Sequence, residues 1–281
     1  MDIQILVVPY DSGIRGERMG AGPERLISAG LQRALEDRGH NVSAKIATLR
    51  ENTWRGEIQA SFELMGMLAR QVGAARAAGR FPIVLSGNCS TAVGTLTGLG
   101  STVGVVWFDA HADFNTPETT TSGFFDGNAL AIITGRCWKQ LATKVGFSAV
   151  PDQYVCLVGA RDIDPLEREL LDSSSVGVIE VPDLKTRLTA ALKSMTEHVE
   201  SVYVHIDLDV LDVAVAPANS YSGAGGFTVE DVEYALAAIA RELQIAAVTL
   251  SAYDPAGDVD GRAAEAAIRL VCSAAQYANR A

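Results

Sequence analysis

Short β-rich runs that are apolar on both faces alternate along this chain with amphipathic stretches, and that alternation narrows the possible folds more than any other feature. Residues 3–8, 81–85, 103–108, 154–158, 176–181, 201–206 and 246–250 read as strands. A strand without a polar face must be covered on both sides, as in a parallel sheet packed between helices. Helices are expected over residues 21–38, with Pro23 near the first turn, and over 58–78, 229–243 and the Ala-rich 261–275. This order predicts an α/β fold with a doubly wound or related parallel sheet. The chain has 281 residues, a length that suits one large domain or two small ones. No repeat, low-complexity tract or Gly/Ser linker divides it, so residues 1–281 are read as a single α/β domain.

The formal charge of −11 disfavours nucleic acid and anionic membranes as partners. No run of 18 or more apolar residues suggests a transmembrane helix. Residues 1–8 carry no basic leader and read as a first strand. Cys89, Cys137, Cys156 and Cys272 are scattered and form no CxxC pair, which points to reduced thiols and a cytoplasmic location. Residues 116–127 form one long polar loop, and such loops in compact domains are often functional.

Two strands end in acids. Residues 103–108 lead into Asp109-Ala110-His111-Ala112-Asp113, and residues 202–206 lead into Asp207-Leu208-Asp209, with Asp212 just beyond. In extended chain, alternate residues share a face. Asp109, His111 and Asp113 are therefore expected to point together, as are His205, Asp207 and Asp209. Ligands of open α/β sheets collect at the carboxyl ends of strands, where these acids fall. Converging carboxylates repel one another and resist burial, and a divalent cation offsets both penalties. Oxygen-rich donors with an imidazole suit Mn²⁺, and two cations sharing a carboxylate can activate water. A single D-x-D after a strand is commonly a cap or a solvated turn. It is the pair of such segments, with a histidine interleaved, that points to metal. His205 has two readings from sequence, a carboxylate-orienting residue or a satisfied core histidine.

Asp109-Ala110-His111-Ala112-Asp113 resembles the D-A-H-x-D signature of the arginase (ureohydrolase) family, and Asp207-Leu208-Asp209-Val210-Leu211-Asp212 resembles its D-x-D-x-x-D signature. Ser86-Gly87-Asn88-Cys89-Ser90 stands where the family carries G-G-D-H-S, and Gly20-Ala21-Gly22-Pro23 is similar to its N-terminal glycine–proline loop. The resemblance implies a three-layer α/β/α fold with a mainly parallel sheet, two divalent metal ions, normally Mn²⁺, and a homo-oligomer, trimer or hexamer. By position, it implies a first metal held by Cys89, Asp109, Asp113 and Asp207, and a second held by Asp109, His111, Asp207 and Asp209. Cys89 replaces the family's histidine, and a thiolate favours Zn²⁺ or Fe²⁺ over Mn²⁺.

The loop from Asp113 to Gly123 resembles the segment that grips an amino acid head group. The resemblance places the α-carboxylate on Asn115 and Ser122, and the α-ammonium on Asp164 with Glu167 nearby. Tyr221 falls where the family has a small hydroxyl residue near the substrate. The acid that clamps a guanidinium falls on Ala252, and the proton-transfer histidine falls on Asp126. Asp209 would accept a hydrogen bond from the attacking hydroxide, and Asp126 would carry protons. A buried guanidinium without a carboxylate loses its bidentate partner, so a less cationic tail is expected. One branch of the family, which hydrolyses Nω-hydroxy-L-arginine, is similar in its cysteine and in its D-F-N-T-P-E-T-T loop. The expected activity is thus cleavage of a non-peptide C–N bond in an amidine-type amino acid, with Nω-hydroxy-L-arginine or a related N-oxygenated or N–N amino acid as substrate. The competing reading is a non-catalytic relative that binds an amino acid or a protein partner, motivated by Cys89 and Ala252. A zinc deacetylase-like hydrolase would want more histidines than the four present.

Overall fold

The computed structural model describes residues 1–50, 54–100 and 102–279. In chain order its first half holds β1 (Asp2–Val8), the hairpin β2 (Tyr10–Asp11) and β3 (Ile14–Arg15), α1 (Gly22–Ser28), α2 (Leu31–Glu36), β4 (Asn41–Ile46), α3 (Glu57–Ala77), β5 (Phe81–Ser86), α4 (Ala92–Leu99) and β6 (Val103–Phe108). The second half holds α5 (Ala129–Ile133), α6 (Lys139–Lys144), β7 (Val155–Val158), α7 (Pro165–Asp172), β8 (Gly177–Ile179), α8 (Leu184–Thr196), β9 (Ser201–Asp207), α9 (Val229–Glu242), β10 (Gln244–Ser251) and α10 (Arg262–Ala278).

Eight strands form one sheet in the order β4-β1-β5-β10-β9-β6-β7-β8, and every pairing is parallel. Helices cover both faces, giving three layers. Ile3, Ile5 and Val7 of β1 pack into the core built with α1, α2, α8, α9 and α10, while Leu6 and Val8 pack into the core built with α3, α4 and α5. This two-sided burial is why the strands read as unbroken apolar runs.

The long helix expected over 21–38 is two helices. Gly30 sits between them at φ 101°, a left-handed conformation that ends α1 and re-aims α2. β4 carries no clear pattern because it is a mostly exposed edge strand, and α8 lies outside the expected helices although Leu184, Leu188 and Leu192 recur on its buried face.

Register brings the site together. Phe108 pairs with both Ile206 and Val158, Ile206 with Leu250, and Leu85 with Leu250. The carboxyl ends of β5, β10, β9 and β6, the four central strands, therefore reach one rim of the sheet.

Candidate active site

The acids converge, but not by the extended-chain route that the sequence suggests. β6 stops at Phe108, and Asp113 adopts a left-handed φ of 51°. Asp109 folds the chain after it by accepting the His111 amide on Oδ1 at 2.8 Å, and its Oδ2 accepts the Trp107 indole N–H at 3.0 Å. Asp207 closes β9 in the same way. Its Oδ1 accepts the Asp209 amide at 2.8 Å and starts the 3₁₀ turn Leu208–Val210. Asp209 Oδ1 accepts the Ala110 amide at 3.3 Å and ties the two segments together. The cap reading of D-x-D therefore holds for Asp109 and Asp207, the same acids on which the metal reading rests.

Cys89 opens a 3₁₀ turn after β5. Gly87 lets this turn pack against the chain after β1, because a Cβ there would collide with the Tyr10 carbonyl. Cys89 Sγ lies 3.0 Å from Asp207 Oδ2 and 3.1 Å from Ser251 Oγ. Donor atoms of Cys89, Asp109 and Asp207 all lie within 4.8 Å of one another, and so do those of Asp109, His111 and Asp209. His111 Nδ1 is 3.3 Å from Asp109 Oδ1 and 3.5 Å from Asp209 Oδ2. Asp109 is common to both groups. Asp113 lines the same pocket, and its buried Oδ2 has no hydrogen-bond partner.

The electrostatics follow from this crowding. Burial and the neighbouring acids push Asp113 and Asp207 well above the usual carboxylate range, and burial also raises Asp109. Burial alone would lower the His111 pKa, but its hydrogen bond to Asp109 and the charges of Asp209 and Asp109 outweigh that and lift it to about 9. Burial, then the charge of Asp207, pushes the Cys89 thiol up. Positive charge at the two clusters would reverse each of these shifts. An orphaned carboxylate oxygen, a thiol and a ring nitrogen among three more acids form a donor set suited to two divalent cations.

A pocket of about 270 Å³ opens above these groups. Asn115, Ser122, Asp164, Glu167 and Tyr221 all line it, as do Cys89, His111, Asp207, Asp209 and Asp126. Asp109 lies beneath, almost fully buried. Several of these residues hold one another. Asp164 Oδ2 accepts from Asn115 Nδ2 at 3.2 Å and from Thr121 Oγ1 at 3.1 Å, and Asp164 forms a capping box with Glu167 at the start of α7. Glu167 accepts the amides of Phe114, Asn115 and Asp164, so its carboxylate shapes the loop. Asp126 is similarly engaged. Its oxygens accept the amides of Cys89 at 2.8 Å and Ser90 at 2.7 Å, and burial raises its pKa to about 6 against those bonds. Ser122 Oγ accepts the Phe124 amide, and Tyr221 stacks on Phe124 at 6.0 Å.

His205 does not face the pocket. It is fully buried, stacked on Trp107 with ring centroids 3.6 Å apart, and bonded to Ser251 and Tyr203. Three residues escaped the sequence reading. Asn219 Nδ2 donates to the Ala252 carbonyl at 2.7 Å and reaches Asp209 Oδ2 at 3.4 Å. Ser251 contacts Cys89. The Arg161 guanidinium donates to the carbonyls of Asp209, Val210, Leu211, Gly223 and Ala224. None was given a role from its local run, although Ser251 stands beside Ala252 and Arg161 beside Asp162-Ile163-Asp164.

A parallel sheet whose central strands end in two carboxylate clusters sharing one acid, under an amino acid-sized pocket, defines a metal-dependent hydrolase. The chain belongs to the arginase family, whose model matches residues 1–276. The family's members are amidinohydrolases with a binuclear metal centre. An arginase of Bacillus caldovelox is 29% identical over 289 residues, covering 96% of this chain and 97% of the relative. The crystal structure of an arginase from Bacillus cereus superposes with a TM-score of 0.88 at 26% identity, covering 98% of each chain. A proclavaminate amidino hydrolase from Streptomyces clavuligerus, at 19% identity and a TM-score of 0.72, covering 99% of this chain and 92% of that one, shares the fold. No described helix is long and apolar enough to cross a membrane.

Proposed function

We propose that the chain hydrolyses a non-peptide C–N bond in an amidine-type amino acid whose tail is less cationic than arginine's, with Nω-hydroxy-L-arginine as the first candidate. The observation that carries this reading is the set of residues that line the pocket. Asn115, Ser122 and Asp164, donors and an acid fit for an amino acid head group, line it, and so does Ala252, which stands at the family's guanidinium-clamping position without a carboxylate. A hydroxyguanidine is less basic and needs less charge pairing there.

Cys89, Asp109, Asp113 and Asp207 would hold one divalent cation, and Asp109, His111, Asp207 and Asp209 the other. When bound, such cations lower the pKa of a water and offset the charge that develops on the tetrahedral carbon. Mn²⁺ is the first expectation, with Zn²⁺ or Fe²⁺ favoured by the sulfur of Cys89. Asp209 accepts the hydrogen bond that aims the attacking water. Asn115, Ser122 and Asp164 bind the head group, with Glu167 bracing them, and Tyr221 closes one side. Asp126, with its raised pKa, is placed beside Cys89 to carry a proton toward the leaving nitrogen.

The test is a product assay on Mn²⁺-loaded protein with L-arginine, agmatine and Nω-hydroxy-L-arginine in parallel. We expect hydroxyurea release from the last, with kcat/KM at least tenfold above that for arginine. Turnover of arginine at a higher kcat/KM, or no turnover of any of the three, would reject the assigned substrate.

A further inference from the structure

One buried polar cluster has no part in the chemistry above. Tyr203, His205 and Ser251 are fully buried, and none lines the pocket. They form a continuous chain that ends on sulfur. Tyr203 Oη is 2.9 Å from His205 Nδ1, His205 Nε2 is 3.0 Å from Ser251 Oγ, and Ser251 Oγ is 3.1 Å from Cys89 Sγ. The stack on Trp107, tilted by only 8°, fixes the imidazole plane. A neutral imidazole has one donor and one acceptor nitrogen. With the Tyr203 phenol donating to Nδ1, Nε2–H donates to Ser251 Oγ. The serine proton is then left for Cys89 Sγ, the one other acceptor for it among the described residues being the Ile206 carbonyl at a longer 3.4 Å. Every proton in the chain can point toward the sulfur.

That polarity matches a sulfur that is a thiolate on a cation, which accepts hydrogen bonds. It serves no purpose for apolar packing, where three interlinked polar side chains are harder to satisfy than hydrophobic ones. We propose that Ser251, oriented by His205 and Tyr203, is a positioning residue for Cys89, its hydroxyl donating to the thiolate and holding it toward the cation shared with Asp109 and Asp207. The inference rests on the reading of Cys89 as a metal ligand. Groups that orient metal ligands from behind typically affect affinity by about 10- to 100-fold.

Co²⁺ titrated into metal-free protein separates the two ideas, because a cobalt-bound thiolate gives a near-ultraviolet charge-transfer band. The wild type is expected to show the band and Cys89→Ser to lose it. A wild type that binds Co²⁺ without the band would overturn the reading of Cys89, and the positioning role with it. Given the band, Ser251→Ala is expected to move it to longer wavelength, because a thiolate that accepts one hydrogen bond fewer gives up its electron more easily. Co²⁺ affinity should fall by about 10- to 100-fold. His205→Phe keeps the ring stacked on Trp107 and should shift the band in the same direction. Tyr203→Phe, the mildest change, should shift it less, and it serves if the other variants do not fold. A band that keeps its position and affinity in every folded variant, with Cys89→Ser still losing it, would overturn the positioning role and leave Cys89 a ligand.

Discussion

Asp109 stands where the two donor groups overlap, with one oxygen held by the His111 amide and the other by the Trp107 indole. Asp109→Asn halves its acceptors and removes its charge. Bound metal, measured by elemental analysis after dialysis against Mn²⁺, should fall from about two ions per chain to below one. Retention of both ions would reject a bridging role. Asp126 supplies a pH signature. Its folded pKa, about 6, lies above the ordinary value of 3.8, so the native state keeps a proton that the unfolded state has released. Through this group the metal-free protein is most stable below about pH 4 and loses that contribution as pH rises to about 6. Melting temperature followed across that window in the wild type should drop more steeply than in Asp126→Asn, and equal slopes would contradict the shift. At this scale the acids, His111 and Cys89 that gather at the strand ends were legible as candidates, because each sits in a local run whose chemistry has few other uses. Ser251 and Asn219 were not legible, since a lone serine or asparagine gives no signal until its distant neighbour is known.

The turn after β9 and the loop before α5 are the elements on which the geometry depends. Arg161 holds the first by donating to five carbonyls in residues 209–224. Arg161→Ala leaves those acceptors to water and should lower stability by about 2–4 kcal/mol, read as a shift in the denaturant midpoint. A midpoint unchanged within error would show the turn to be self-supporting. Glu167 plays the matching part for the second, accepting three backbone amides at the start of α7 and in the loop. Glu167→Gln replaces one acceptor oxygen with a donor and should raise KM for an amino acid substrate more than it lowers kcat, because the loop loosens while the acids at the strand ends stay put. A fall in kcat alone would speak against that role. The central strands were readable as elements because burial on both faces leaves an uninterrupted apolar run. The break at Gly30 and the exposed β4 were not, since one depends on a single left-handed residue and the other on pairing with a distant strand.

For the whole molecule, cations that bind only the folded chain must stabilise it by mass action, by about 2.7 kcal/mol at a hundred times the dissociation constant. Chelation at neutral pH should therefore lower the melting temperature, and re-addition of Mn²⁺ or Zn²⁺ should restore it in proportion to affinity. A melting temperature indifferent to chelator and to both ions would remove the two-cation reading. The sequence by itself determined the layered parallel architecture, the strand ends at which chemistry gathers and the identities of the acids. Periodicity, two-sided burial and clustered charge are all properties of neighbouring residues. Only the tertiary structure decided how the acids converge. They meet through carboxylate-capped turns instead of a shared strand face, with Asp109 common to both groups, Asp126 and Glu167 also holding backbone amides, and His205 turned behind Cys89. Those outcomes depend on register between strands far apart in the chain, and no local pattern carries that information.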